Sequence, residues 1–237
     1  MKKIVITGGS GRFGSIIQKI KNKEKIFFPN KKELNILKLQ TIKKYLKKIK
    51  PKIVIHLAGL SRPMHIHENN INKSIDLNII GTANVAKVCN DLKIKLVYFS
   101  TCYVYPGKKG SYKESEAVYP INNYAWSKLG GESSVQMIKN SLILRVSMTE
   151  KPFIHNKAFG NVKSNFIFHE SVAKFLFKII NYKGILNVGG EIQSIYDFAK
   201  KDNKNIKKIM APKKFPLNPS MNINKLKKIL NKKKLSI

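Results

Sequence analysis

Tyr124 and Lys128, in the segment Tyr124-Ala-Trp-Ser-Lys128, are the residues whose types and spacing point most directly to chemistry. On a helix, positions four apart lie on one face, one above the other. An ammonium held beside a phenol favours the phenolate and moves the phenol from its usual pKa of about 10 toward the working range of a proton donor. Upstream, Lys95-Leu-Val-Tyr-Phe-Ser-Thr101 is a β-branched and aromatic run that reads as a buried strand. A hydroxyl on Thr101, at the carboxyl end of that strand, is suited to hold a carbonyl oxygen in front of the phenol. Thr101, Tyr124 and Lys128 in this order are the candidate catalytic set of a carbonyl-reducing or alcohol-oxidising site. Spacing alone is weak evidence, because the chain holds three such pairs: Tyr105/Lys109, Tyr124/Lys128 and Tyr196/Lys200. Tyr105 precedes Pro106-Gly107 in a loop, and Tyr196 falls on a late helix with no glycine-rich loop nearby. Context selects Tyr124.

The elements that must position this set begin at the amino terminus. Lys3 to Ile6 is a short apolar strand, followed by Thr7-Gly-Gly-Ser-Gly-Arg-Phe-Gly14 and a helical pattern from Ser15 to Ile20. Strand, glycine loop, helix is the context that makes a dinucleotide-binding loop credible. Gly8 permits the tight turn, Gly11 the close approach of a pyrophosphate, and Gly14 close helix–strand packing. Ser10, Arg12 and Phe13 complete the cofactor-binding loop, with the amides at the helix start holding phosphates. A second strand, Lys25 to Phe28, runs into Pro29-Asn-Lys-Lys32 without the acid that usually binds a ribose 2′-hydroxyl. With Arg12, Lys31 and Lys32 at hand, the site leans toward a 2′-phosphate, so NADP(H) is favoured and NAD(H) stays open. Asn35, in the connection Glu33-Leu-Asn-Ile36, is counted among the cofactor contacts. Leu39 to Ile49 is an amphipathic helix ending before Pro51.

A third strand, Lys52 to Leu57, ends in His56-Leu-Ala-Gly59, where Leu57, Ala58 and Gly59 let backbone pass under a nicotinamide-side ribose. The irregular loop from Leu60 to Glu68 is a substrate-side loop. Its His65 and His67 lack a third ligand at useful spacing, so no metal site is expected. Long helices follow at 71–92, with Asn78 and Gly81-Thr82 inside, and at 122–138, with a strand from Leu142 to Arg145. Strands alternating with helices predict an α/β fold, a Rossmann-type doubly wound parallel sheet. Residues 1–145 form the NAD(P)-binding domain. Residues 146–237 form a reduced substrate-binding lobe interleaved with the last sheet elements: helices at Glu170–Ile180, Ser194–Lys200 and Asn222–Leu230, a strand at Ile185–Val188, and a frayed end from Lys232.

Composition bounds the rest. The 237 residues, 43% hydrophobic, suffice for one sizeable core and exclude wholesale disorder. The chain enters a strand at once and holds no apolar run near the roughly 20 residues a membrane span needs, so neither a signal peptide nor a span is expected. Cys89 and Cys102 form no disulfide framework, which points to a reducing cytoplasm. The net charge of +33 is nearly all lysine, with arginine only at 12, 62 and 145. Nucleic-acid surfaces recruit Arg and stacking aromatics, so an evenly spread lysine surface argues a solvated face and no specific nucleic-acid partner.

These motifs resemble the extended short-chain dehydrogenase/reductase family. Thr7-Gly-Gly-Ser-Gly-Arg-Phe-Gly14 is similar to its TGxxGxxG cofactor loop, and His56-Leu-Ala-Gly59 to its strand-end cofactor motif. Ser100-Thr-Cys-Tyr-Val-Tyr-Pro-Gly107 with Tyr124-Ala-Trp-Ser-Lys-Leu-Gly-Gly-Glu132 resembles the sugar-nucleotide branch, of the dTDP-4-dehydrorhamnose reductase type. The resemblance implies hydride transfer from NADPH to the keto carbon of a nucleotide-sugar, in surface polysaccharide precursor synthesis. In it Tyr124 protonates the alkoxide, Lys128 orients the nicotinamide ribose, and Thr101 binds the carbonyl oxygen. Tyr103, His65 and Arg145 are the candidate substrate contacts. Related 4,6-dehydratases carry Asp-Glu after the catalytic Thr; Cys102-Tyr103 here counts against dehydration. Members often pair through two long helices, here 71–92 and 122–138, which implies a homodimer. An epimerase, and a non-catalytic NAD(P)-binding regulatory or partner subunit, are the alternative readings.

Overall fold

A computed structural model describes residues 1–212 and 215–232; of the expected frayed end, residues 233–237 lie outside the described residues. In chain order the elements are β1 (Lys3–Thr7), α1 (Arg12–Gln18), β2 (Lys25–Phe27), α2 (Leu39–Ile49), β3 (Ile53–His56), α3 (Ile66–Asn69) and α4 (Ile71–Ser74). A π-helical turn (Ile75–Ile80) leads into α5 (Gly81–Asp91), then β4 (Lys95–Thr101), a 3-10 turn (Cys102–Val104), α6 (Asn123–Gln136) and β5 (Ser141–Val146). The remainder is β6 (Met148–Thr149), β7 (Lys157–Phe159), β8 (Lys163–Ser164), β9 (Ile167–Phe168), α7 (His169–Ile179), β10 (Gly184–Val188), β11 (Gln193–Ser194), α8 (Ile195–Lys200), β12 (Lys207–Ile209) and α9 (Asn224–Asn231).

The chain divides into two compact units. The first holds residues 1–100, 122–144 and 180–185; the second holds 101–121, 145–179 and the chain from 186 onward. A six-stranded sheet of order β10-β5-β4-β3-β1-β2 is the backbone of the fold, with β1–β2, β1–β3 and β3–β4 all parallel. This is the doubly wound arrangement expected from the alternation. The boundary between units falls within or at the ends of β4, β5 and β10.

In the first unit, β1, β3 and β4 bury their apolar residues completely (Ile4 to Ile6, Val54 and Ile55, Leu96 and Val97). Continuous apolar strands are what a parallel sheet covered on both faces requires. Helix α2 buries Ile42 and Leu46, four apart, and stops at Lys50, whose left-handed backbone lets its amide bond the Leu46 carbonyl. Pro51 then prevents continuation.

The second unit has a separate aromatic core, in which Phe198 packs against Phe153, Phe166 and Phe168. Its strands pair two by two: β6 with β9, β7 with β12, β8 with β11. Runs of two or three residues carry no period, which is why the sequence reading does not anticipate them. A second cluster joins Tyr105, stacked on Tyr112 at 4.9 Å, to Arg145 and Asn187. Arg145 is 2% exposed and donates to the Tyr105 hydroxyl at 2.8 Å and the Glu114 carbonyl at 3.3 Å. These partners are what a buried guanidinium needs.

Candidate active site

The strand order reverses between β1 and β3, because β2 lies beyond one and β4 beyond the other. In open α/β sheets, ligands bind at this switch point, outside the carboxyl ends of the strands. Register pairs Thr7 with His56, so the chain leaves both strands side by side. Gly8 then turns with φ +73°, and a Cβ there would stand 2.6 Å from the Ala58 nitrogen. Gly14, in the first turn of α1, would drive a Cβ to 2.5 Å from the carbonyl oxygens of Gly8 and Gly9. The loop is closed by a Gly11 amide to Gly8 carbonyl bond of 3.0 Å, and no side chain caps the start of α1. Only glycine permits this compression, and it leaves backbone rather than side chains facing the crevice.

Beneath the crevice runs a polar chain. Thr7 Oγ1 lies 2.7 Å from His56 Nδ1, and His56 Nε2 lies 3.2 Å from Thr82 Oγ1. The imidazole stacks on Tyr98 of β4 at 6.0 Å, and the Lys128 ammonium lies 4.3 Å from the centre of the Tyr98 ring. Tyr98 in turn donates to the Lys128 carbonyl at 3.0 Å. Burial, reinforced by the charge of Lys128, pushes His56 down to about 3, so it is neutral. Lys128 is half covered in surface area yet deeply surrounded by protein; that burial lowers it to about 7, with Glu132 pulling the other way. The ammonium thus sits within electrostatic reach of the end of β3.

Helix α6 begins at the Asn122 side chain, which accepts from the Ala125 amide at 2.8 Å. Ser127 donates back to the Tyr124 carbonyl and receives a bond from Asn78 Nδ2, both at 2.8 Å. Asn78 also clamps Leu60, accepting from its amide at 2.7 Å and donating to its carbonyl at 2.8 Å. Gly130 and Gly131 explain the closeness of α6 to the π-helical turn. A Cβ on Gly131 would stand 2.4 Å from the Asn78 carbonyl oxygen, and one on Gly130 would stand 2.8 Å from Ile79.

The placements refine the sequence reading. Tyr124 and Lys128 share helix α6 as expected. Thr101 ends β4, buried, its hydroxyl oxygen accepting from the Tyr103 amide at 3.3 Å; Tyr103 is half-buried. Cys102 is buried, and burial pushes its thiol up to about 11, consistent with an inert packed residue. Ser10, Gly11 and Arg12 are exposed, and Arg12 Nη2 donates to Ser61 Oγ at 2.8 Å. Phe13 instead packs, buried, on Phe99 at 5.3 Å, so it supports the loop from below. Asn35 closes a turn into α2, its Oδ1 accepting from the Leu37 amide at 3.0 Å, which ties its side chain locally. Lys31 and Lys32 are exposed beyond β2. His65 is exposed, whereas His67 is wholly buried and packs edge-on against the Tyr124 ring at 5.0 Å. Asn78 and the glycine pair are missed, although Gly130-Gly131 inside a helical pattern is a signal of close approach.

A family profile described as the RmlD substrate binding domain matches residues 1–162. The chain belongs to the RmlD substrate-binding domain family. The matched span includes the glycine loop, the His56-Leu-Ala-Gly59 segment and the Tyr124–Lys128 pair, and it upholds the family read from the three motifs. Among curated proteins, methionine adenosyltransferase 2 subunit beta of Xenopus laevis is 31% identical over 156 residues, covering 61% of this chain and 46% of that protein. A dTDP-4-dehydrorhamnose reductase of Aggregatibacter actinomycetemcomitans is 25% identical over 193 residues, covering 79% of this chain and 60% of its own. The chain spans about half the length of the curated relatives it matches. In fold it is similar to the crystal structure of a dTDP-4-dehydrorhamnose reductase of Bacillus anthracis in complex with NADP, with a TM-score of 0.84 at 24% identity over 95% of this chain and 91% of that one. The RmlD-family fold is therefore present nearly throughout. Among the described residues no helix is long and apolar enough to cross a membrane.

Proposed function

We propose that this RmlD-family chain is an NADP(H)-dependent reductase of a nucleotide-activated keto-sugar. The observation that carries the reading is the position of the Lys128 ammonium: on α6 with Tyr124, over Tyr98, and close enough to the switch-point strands to depress His56. The glycine loop fits a dinucleotide: a Cβ at Gly8 or Gly14 would meet protein backbone at 2.6 and 2.5 Å, so glycine is what lets the loop turn this tightly before the start of α1. A bound nicotinamide dinucleotide supplies the hydride. Gly8, Ser10, Gly11 and Gly14 hold its diphosphate, with Leu57, Ala58 and Gly59 beneath the ribose and Arg12, Lys31 and Lys32 favouring a 2′-phosphate. Tyr124 gives its phenolic proton to the sugar oxygen as negative charge develops there, and Lys128, when charged, makes that proton easier to give. Thr101 bonds the same oxygen through its hydroxyl. Tyr103 is the candidate sugar-nucleotide contact.

The test is turnover of NADPH with a panel of keto nucleotide-sugars, followed by absorbance and product mass, with Tyr124→Phe alongside. Consumption of NADPH with a product two mass units heavier, abolished in Tyr124→Phe while NADPH binding persists, is expected. Equal turnover in the variant would refute the role of Tyr124. A second reading, a non-catalytic NAD(P)-binding subunit, is favoured by the names of the adenosyltransferase beta-subunit relatives; dinucleotide binding without turnover of any keto-sugar would support it. Product formation without net NADPH use would indicate an epimerase.

A further inference from the structure

His67 is 0% exposed, yet its Nε2 has no hydrogen-bond partner among the described residues. Its other nitrogen, Nδ1, lies 2.7 Å from Ser74 Oγ, itself buried on α4. A buried polar atom without a partner is costly, so a leucine or phenylalanine would serve packing better. What the imidazole does touch is Tyr124: the ring centres are 5.0 Å apart and the planes 61° apart, an edge-to-face contact. The next residue along, Glu68, is bonded to Asn123 at 2.7 Å, so α3 is fastened to the start of α6 at two adjacent points. Burial and the charge of Lys128 lower the His67 pKa, against the pull of the Ser61 backbone and Glu68, and a neutral ring carries one N–H.

We infer that His67 is a positioning residue for Tyr124: anchored by Ser74 through Nδ1, it packs edge-to-face with the phenol and fixes the ring plane from which the proton is given. The Ser74–His67–Tyr124 chain therefore favours one orientation of the phenol. This inference rests on the reductase reading, and its tests separate the two.

In the whole chain, Ser74→Ala removes only the anchor, His67→Phe keeps an edge-to-face ring without the anchor, and His67→Ala removes both the ring and the anchor. The expected result is a kcat loss of about tenfold or more in His67→Ala, partial rescue in His67→Phe, and a loss of severalfold in Ser74→Ala. KM and NADPH affinity should stay within about twofold throughout. In protein carrying ¹³C-labelled tyrosine, the Tyr124 ring signal, assigned by its loss in Tyr124→Phe, should shift or broaden in Ser74→Ala. That readout needs no turnover, so it stands even if no keto-sugar is reduced. A kcat within twofold of the parent in Ser74→Ala together with an unmoved Tyr124 signal would overturn the inference, as would an effect confined to KM.

Discussion

Consider acidifying the protein from pH 7 to 4.5. His56 is buried between Thr7 and Thr82 and has its pKa lowered from 6.5 to about 3, first by desolvation and then by Lys128. Below about pH 6.5 the unfolded chain takes up a proton at this residue, whereas the folded chain does not until about 3. Stability from this residue is therefore intact above the unfolded pKa and lost as pH falls through the window between the two values. Linkage puts the loss between pH 7 and 4.5 at about 2.5 kcal/mol. For a chain of this size that is a fall in Tm of about 5–10 °C. His56→Gln, which offers the threonines an amide with no titration, should lack this increment. The assay is scanning calorimetry of both proteins at the two pH values, reading the difference of differences so that other titrating groups cancel. Equal losses in the two proteins, or an imidazole NMR signal from His56 that titrates near 6.5, would refute the reasoning.

Three further outcomes are expected. Lys128, ¹³C-methylated at its amine, should titrate near 7 in dinucleotide-free protein and move upward when NADPH is added, since an anionic ligand stabilises the ammonium; a midpoint near 10 would show that the burial argument is wrong. Gly14→Ala should weaken dinucleotide binding at least tenfold in a calorimetric titration and destabilise the fold by about 1–3 kcal/mol, because its Cβ meets backbone oxygens at 2.5 Å; unchanged affinity would remove the loop from the site. NADPH should bind more tightly than NADH, and Arg12→Ala should narrow the gap; a preference for NADH in the parent protein would overturn the 2′-phosphate assignment.

Where a residue's role follows from a repeating period or from backbone chemistry, it was legible in the sequence. Helix α2 runs from Leu39 to Ile49 as expected because its apolar positions recur at helical spacing and Pro51 sets its end. The tight backbone at Gly8 and Gly14 is legible for the same kind of reason, since a Cβ fits neither position. What the sequence did not disclose depends on contacts between distant segments. His65 and His67 differ only in which way a short loop helix turns them. Phe13 looked like a loop residue, but its ring found Phe99. The stretch 101–121 follows β4 directly, yet packs with the second unit, because Tyr105 and Tyr112 bond to Arg145 and Asn187 far along the chain. No window of neighbouring residues encodes that choice.

The π-helical turn at Ile75–Ile80 has a consequence for how insertions and deletions should be tolerated here. A wide turn holds one residue more than an ordinary one, and so sets the angular phase between α4 and α5. Deleting a single residue within it would let an unbroken α-helix form, a locally favourable change. The same deletion would rotate everything on its amino-terminal side by about 100° relative to α5. Ser74 and His67, both on that side, would then turn together away from Tyr124, and Asn78 would fall out of register with Ser127. In this segment local regularity and the packing around Tyr124 are opposed: the variant with the better helix should hold that phenol less firmly.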